Sequence, residues 1–315
     1  MDFTGLISIS FPDPGRPGKK MVRVYYQVGR QIRESCFNDR NGWHVRPSDD
    51  VVATNAKPRT PIAATNLHAG KKTSVFYLDD SNKLCRRTRV TSEAGASGEW
   101  KDEVVSASHP ISPASKLSAV RTDEGDQNLR VYYQSTDNKI RGIVSYSDNG
   151  TWTASDLELD GMLPGTSLCA ISGDTATRLF VQDKTKNIKE YYSDPDTDWR
   201  SNRIKPYAAD AAAPITAVAW NYGTNQLQVR LFTLQNKNLV EFVYDKARGG
   251  WQQSAVATSQ VAIESQSPGV TSAVTSTAME QDGQFTVFYQ PSQNVIAQFN
   301  SSWTVEQLGI PTARG

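Results

Sequence analysis

At 315 residues the chain has room for one large or two ordinary domains, so periodicity and not length decides the domain count. Its 34 Lys and Arg against 33 Asp and Glu give a formal net charge of +1, which excludes a global field drawing the protein onto nucleic acid or anionic lipid. Cys36, Cys85 and Cys169 are odd in number, far apart and never in C-x-x-C spacing, which excludes a disulfide framework and a zinc site and reads as reduced, structural thiols.

The chain opens on "MDFTGLISISFPDPG", which lacks a basic n-region and carries an apolar run shorter than an h-region. No stretch reaches the roughly 18 consecutive apolar residues of a membrane span. The expectation is a soluble protein without membrane insertion, either cytoplasmic or carried outward and held at the cell surface by a non-classical route.

The elements then come in six rounds. "GLISIS" is a short apolar strand, followed by the hairpin "VRVYYQ" and "QIRES" and by Trp43. "PIAATNL", "TSVFYL", "KLCRR" and Trp100 repeat that order, as do "KLSAV", "LRVYYQ", "KIRGI" and Trp152. "SLCAIS", "TRLFVQ", "NIKEY" and Trp199 come next, then "PITAVAW", "VRLFTL", "NLVEF" and Trp251. "GVTSAVTS", "FTVFYQ", "VIAQF" and Trp303 close the series. The tryptophans are 57, 52, 47, 52 and 52 residues apart. Turns such as "DDSNK", "STDNK", "DKTKN" and "LQNKN" separate the strands.

Four short strands per unit of this length match a propeller blade, since helical and leucine-rich repeats are shorter. The pattern therefore predicts an all-β fold, a six-bladed β-propeller with four antiparallel strands per blade. It forms one domain over 1–315, with blades at about 5–57, 58–113, 114–164, 165–211, 212–266 and 267–310. Two β-sandwiches would share the alternation but not the sixfold tryptophan. Ala63, Ala64, Ser118, Ala119, Ala170 and Ala217 suit a crowded first strand, and the later aromatics suit the gaps between blades.

One charge pattern recurs with the hairpins. Arg23 with Glu34, Arg178 with Glu190 and Arg230 with Glu241 lie on paired strands, within reach if the register is right. The third unit keeps Arg130 but has Gly142 where the acid should be, the last unit has Thr286 and Gln298, and the second has Ser74 and Arg86. A single such pair reads as a surface ion pair of about 0.2–1 kcal/mol, and a single tryptophan as a wedge between sheets. Recurrence of Arg, Glu and an aromatic together points further. The guanidinium supplies forked donors and the carboxylate acceptors for adjacent hydroxyls, and an indole covers the CH face of a sugar ring. His44, His68 and His109 are scattered without metal-ligand spacing, and neither metal nor cofactor is expected.

The stretches "VRVYYQ…QIRES…GW", "LRVYYQ…DNKIRG…GTW" and "TRLFVQ…KNIKEYY…W" resemble the fungal fucose-specific lectins of the Aleuria aurantia type, over Gly5 to about Ile310. The resemblance implies fucose pockets between consecutive blades, with Arg and Glu from one blade and aromatics from the next. Carried over, these are Arg23, Glu34 and Trp100; Arg178, Glu190, Tyr244 and Trp251; and Arg230, Glu241 and Trp303. Weaker pockets would use Arg130 with Trp199, Gln298 with Phe37 and Trp43, and Trp152 beside Ser74 and Arg86. The implied partners are L-fucose and fucosylated glycans of glycoproteins, glycolipids or host cell surfaces, engaged multivalently by a homodimer without chemistry on the ligand. The competing reading is a sialidase-like propeller glycosidase. It rests on "SDNGTW" from Ser147 to Trp152, an imperfect Asp-box turn, and lacks one concentrated catalytic constellation.

Overall fold

β-Branched and aromatic residues broken every six to nine positions by Asp, Asn and Gly turns favour antiparallel hairpins. The computed structural model of the chain contains six meandering sheets built from them. It describes residues 5–308 except 14–15, 17, 46–49, 68–69, 92–97, 123–127, 147–150, 174–175, 194–198, 203–206, 223, 255–257, 263–273, 279–282, 293–294 and 303–304. The larger part of "SDNGTW", His68 and Trp303 lie outside the described residues.

Sheet 1 holds β1 (Leu6–Pro12), β2 (Lys20–Val28), β3 (Gln31–Asn38) and β4 (Gly42–His44), with β5 (Val51–Ala53) as an extra strand on β3. Sheet 2 holds β6 (Ala63–Leu67), β7 (Lys72–Leu78), β8 (Leu84–Val90) and β9 (Lys101–Val104). Sheet 3 holds β10 (Leu117–Arg121), β11 (Leu129–Gln134), β12 (Ile140–Ser145) and β13 (Trp152–Leu159). Sheet 4 holds β14 (Cys169–Gly173), β15 (Ala176–Gln182), β16 (Ile188–Ser193) and β17 (Arg200–Asn202). Sheet 5 holds β18 (Thr216–Trp220), β19 (Gln228–Gln235), β20 (Asn238–Asp245) and β21 (Gly250–Gln253), with β22 (Thr258–Ala262) added to β20. Sheet 6 holds β23 (Val274–Ala278), β24 (Phe285–Ser292), β25 (Val295–Asn300) and β26 (Val305–Leu308).

The chain divides into two compact units. Residues 1–105 with 272–315 carry sheets 1, 2 and 6, and residues 106–271 carry sheets 3, 4 and 5. Within each unit the first strands are neighbours: β1 lies beside β6 and β23, and β14 beside β10 and β18. Small hydroxyl residues permit this approach and link it. Thr275 Oγ1 accepts the Ser8 amide at 3.0 Å, and Ser118 Oγ accepts that of Ala170 at 2.8 Å.

The glutamine that ends "VYYQ" and "LFVQ" is buried and holds the linker into the next sheet. Gln27 accepts from Thr60 N (3.0 Å) and donates to Lys57 O (2.7 Å). Gln134 does the same with Gly165 N (2.7 Å) and Leu163 O (3.2 Å), and Gln182 with Ala212 N (2.8 Å) and Asp210 O (3.0 Å). A buried linker amide left without such a partner would be costly, so these clamps fix where one sheet ends and the next begins.

The aromatics pack as wedges between sheets. Tyr25, Ile32, Val75 and Tyr77 form one core with Trp100 against it; Tyr132, Ile140, Leu179 and Val181 form another with Trp199 against it. Val22, Tyr26 and Phe288 pack with Phe37 and Trp43. Each tryptophan therefore stands at the rim of a core, with one edge inward.

Candidate functional site

The register places each arginine and its acid diagonally and not directly opposite. Arg23 pairs with Cys36, Arg178 with Tyr192 and Arg230 with Val243, while Glu34, Glu190 and Glu241 face Tyr25, Phe180 and Phe232. A two-residue offset keeps arginine and acid on the same face of the sheet, a span that long side chains bridge. The three pairs differ in depth: the arginine side chains are 2%, 14% and 27% exposed in sheets 1, 4 and 5.

In unit 2, Arg178 bonds Glu190 Oε1, and the Trp251 indole N–H donates to Glu190 Oε2 at 2.9 Å from the neighbouring sheet. The Arg178 guanidinium lies 5.2 Å from the centre of the Tyr244 ring and 5.9 Å from that of Tyr192, within cation–π range. Tyr244 tilts against Trp251 at 5.4 Å, and Phe180 meets the indole edge-on at 5.8 Å. All four residues expected at this pocket therefore come together. Sequence reasoning missed Tyr222, whose buried hydroxyl has no partner and whose acidity is lowered by burial, with Arg178 acting the other way. Gly173 admits that ring, because a Cβ there would fall 2.1 Å from Tyr222 Cγ. The result is a cationic donor, a carboxylate, an orphan hydroxyl and two aromatic walls.

Arg230 and Glu241 approach only to 3.5 Å. Burial pushes the Glu241 carboxyl above its ordinary value, outweighing Arg230 and the Ser254 hydroxyl, which draw it down. Arg230 Nε has no acceptor.

The sheet 1 pair is sealed. Arg23 Nη1 donates to Glu34 Oε1 at 2.8 Å, Tyr25 Oη to the same oxygen at 2.8 Å, and the Cys36 thiol to Oε2 at 3.5 Å. A residue unforeseen in the sequence, Arg89 of β8, donates to Oε1 at 2.6 Å and to Oε2 at 2.5 Å. Its guanidinium lies 4.4 Å from the centre of the Trp100 ring. Burial raises the Glu34 carboxyl, but Arg23 and Arg89 together outweigh it and hold it at about 2. Tyr25 is thus both a member of the core and a hydrogen-bond partner of the acid.

The eroded repeats are rewired in different ways. In sheet 2 Arg86 occupies the acid's place, donating to Ser74 Oγ at 3.2 and 2.9 Å and bonding Glu103 of β9 at 2.5 Å. Trp152 is half-buried at the start of β13. In sheet 3 a β-bulge falls at Gly142, where a Cβ would meet Ser155 Oγ at 2.6 Å. Arg130 Nε lacks an acceptor there, the Tyr132 ring is fully buried, and Trp199 meets Tyr132 edge-on at 5.9 Å. Trp43 packs between Phe37 (5.3 Å) and Phe288 (5.6 Å), the latter opposite Gln298, and its indole N–H has no acceptor. Among the described residues no group of His, Cys, Asp and Glu is arranged to hold a metal, and no helix is long and apolar enough to cross a membrane.

Solved structures share this architecture. The crystal structure of the fungal Aleuria aurantia lectin, described as a six-bladed beta-propeller with a novel fucose recognition mode, aligns at TM-score 0.80 and 23% identity over 100% of this chain and 98% of that one. SapL1 lectin in complex with alpha methyl fucoside aligns at 0.78 and 24%, covering 99% and 98%. The fold is a six-bladed β-propeller with four antiparallel strands per blade. In sequence, a fucose-specific lectin of Aleuria aurantia is 26% identical over 244 residues, 74% of this chain and 72% of that protein. The pattern of the family described as fungal fucose-specific lectin matches residues 15–312, and the chain belongs to that family.

Proposed function

We propose that this protein is a lectin without catalytic activity, binding L-fucose and the fucosyl groups of glycans in pockets repeated around a single propeller of residues 1–315. The observation that carries the reading is the Arg178–Glu190–Trp251 arrangement with Tyr244 and the orphan Tyr222 hydroxyl. A ring hydroxyl that both donates and accepts suits a carboxylate beside a guanidinium. The sugar's methyl and CH surface suits the two aromatic walls, and a few polar groups among aromatics are how small-molecule sites obtain orientation and specificity. Arg230 with Glu241 supplies the polar half of a second pocket of the same kind. Arg130 with Trp199 and Gln298 with Trp43 are weaker ones.

Nothing in this reading asks for bond cleavage: the acids Glu34, Glu190 and Glu241 lie in three separate repeats, whereas glycoside hydrolysis needs two carboxyl groups flanking one bond. Several modest sites engaging one glycan-bearing surface raise avidity by about 10²–10⁴ without new contacts, and a homodimer extends the effect.

Titration of the purified protein with methyl α-L-fucoside, with methyl α-D-galactoside and sialic acid as controls, tests the reading. Fucoside-selective heat whose stoichiometry falls when Glu190→Ala and Glu241→Ala are combined is the expected result. Absence of fucoside binding by the unaltered protein would overturn it.

A further inference from the structure

We propose that the Arg23–Glu34 pocket carries its own ligand: the Arg89 guanidinium occupies the place a sugar would take, so this repeat has every pocket residue yet is closed. The inference rests on the lectin reading above, and deepens it by naming the residue that sets which pockets are open.

Position explains how Arg89 gets there. Thr88 pairs with Lys101, so the next pair along that ladder sets Arg89 against Trp100. The equivalent place is Tyr244 against Trp251 in sheet 5 and Phe37 against Trp43 in sheet 1. Where sheet 5 offers an aromatic wall, sheet 2 offers a long cation.

The contacts match those expected of a bound sugar. Arg89 hydrogen-bonds both oxygens of Glu34 and lies over the Trp100 ring, engaging the carboxylate and the aromatic that a fucosyl group would need. The indole reports the same substitution. Trp251 gives its N–H to Glu190, whereas the buried Trp100 N–H has no partner, the corresponding acid being filled by guanidinium donors. Depth agrees as well: Arg23, Glu34 and Arg89 are each about 1% exposed, while Arg178 retains an open face.

Charge makes the proposal testable. The cluster holds two guanidinium groups against one carboxylate, so Arg89→Ala leaves a balanced Arg23–Glu34 pair and is expected to fold. Calorimetric titration with methyl α-L-fucoside should then show more sites per chain in Arg89→Ala than in the unaltered protein, and a return to the original number in Arg89→Ala combined with Glu34→Gln. A folded Arg89→Ala protein, judged by its circular dichroism and cooperative melting, with unchanged stoichiometry would overturn the proposal while leaving the lectin reading intact. Loss of all fucoside binding in the unaltered protein would remove both. Crystals of the unaltered protein soaked in methyl α-L-fucoside supply a test independent of any variant. Sugar at Arg178–Glu190 with none at Arg23–Glu34 supports the closed pocket, and sugar at Arg23–Glu34 with Arg89 displaced refutes it.

Discussion

Glu34 and Glu241 show how one residue type in one repeat position acquires opposite electrostatics. Two guanidinium groups hold Glu34 at about 2, below its ordinary 4.5, whereas burial with one loosely placed arginine pushes Glu241 upward. A carboxyl with a depressed folded value contributes stability that is fully present above its unfolded value and lost as the pH falls through the folded one. The unaltered protein is therefore expected to lose stability from about pH 4.5 down to about 2 through Glu34. Glu34→Gln should be about 3–5 kcal/mol less stable at pH 7, because it strands buried guanidinium groups, and should lack that acid-dependent loss. Urea unfolding of both proteins across this range checks it. The arginines and acids were legible because they recur; Arg89 was not, because its position carries Phe37 in sheet 1 and Tyr244 in sheet 5, so no recurrence marks it. The available signal was an arginine next in register to a tryptophan. Tyr222 sits in a turn with no counterpart to compare, and only the space opened by Gly173 reveals its role.

At the level of the element, the hairpins were readable and the couplings between them were not. Alternation and Asx turns locate strands two and three of each repeat, as with Asp183 Oδ1 accepting from Thr185 N at 2.8 Å and Asn187 N at 3.0 Å. The extra strands β5 and β22 are three and five residues long and too short to carry a pattern. The glutamine clamps are invisible for another reason: their partners are backbone groups of a linker about 30 residues away. Gln182→Leu, which copies the Leu234 of the next repeat, is expected to lower stability by about 1–3 kcal/mol by orphaning the Ala212 amide and Asp210 carbonyl. A reduced urea midpoint with an unchanged m-value is the expected readout, and fucoside affinity at Glu190 should be retained.

For the whole molecule, the sixfold tryptophan spacing made the fold legible, while the number of open pockets was not, because it depends on side chains that reach in from a neighbouring sheet. With a net charge of +1 and a neutral sugar as ligand, binding should depend little on ionic strength. Fucoside affinity is expected to change less than twofold between about 50 and 500 mM salt, a span over which phosphate-directed binding collapses by orders of magnitude. Titration at the two salt levels decides it. The glutamine clamps also carry a mechanical consequence. Each binds the linker leaving its own sheet at a point distant along the chain from the hairpin tip it supports. A backbone cut in the exposed turn at Thr185 would thus leave both halves riveted through Gln182 on one side and the sheet 4 ladder on the other. Severed there, the unit of residues 106–271 would behave less like a broken necklace than like a riveted plate that has lost one seam.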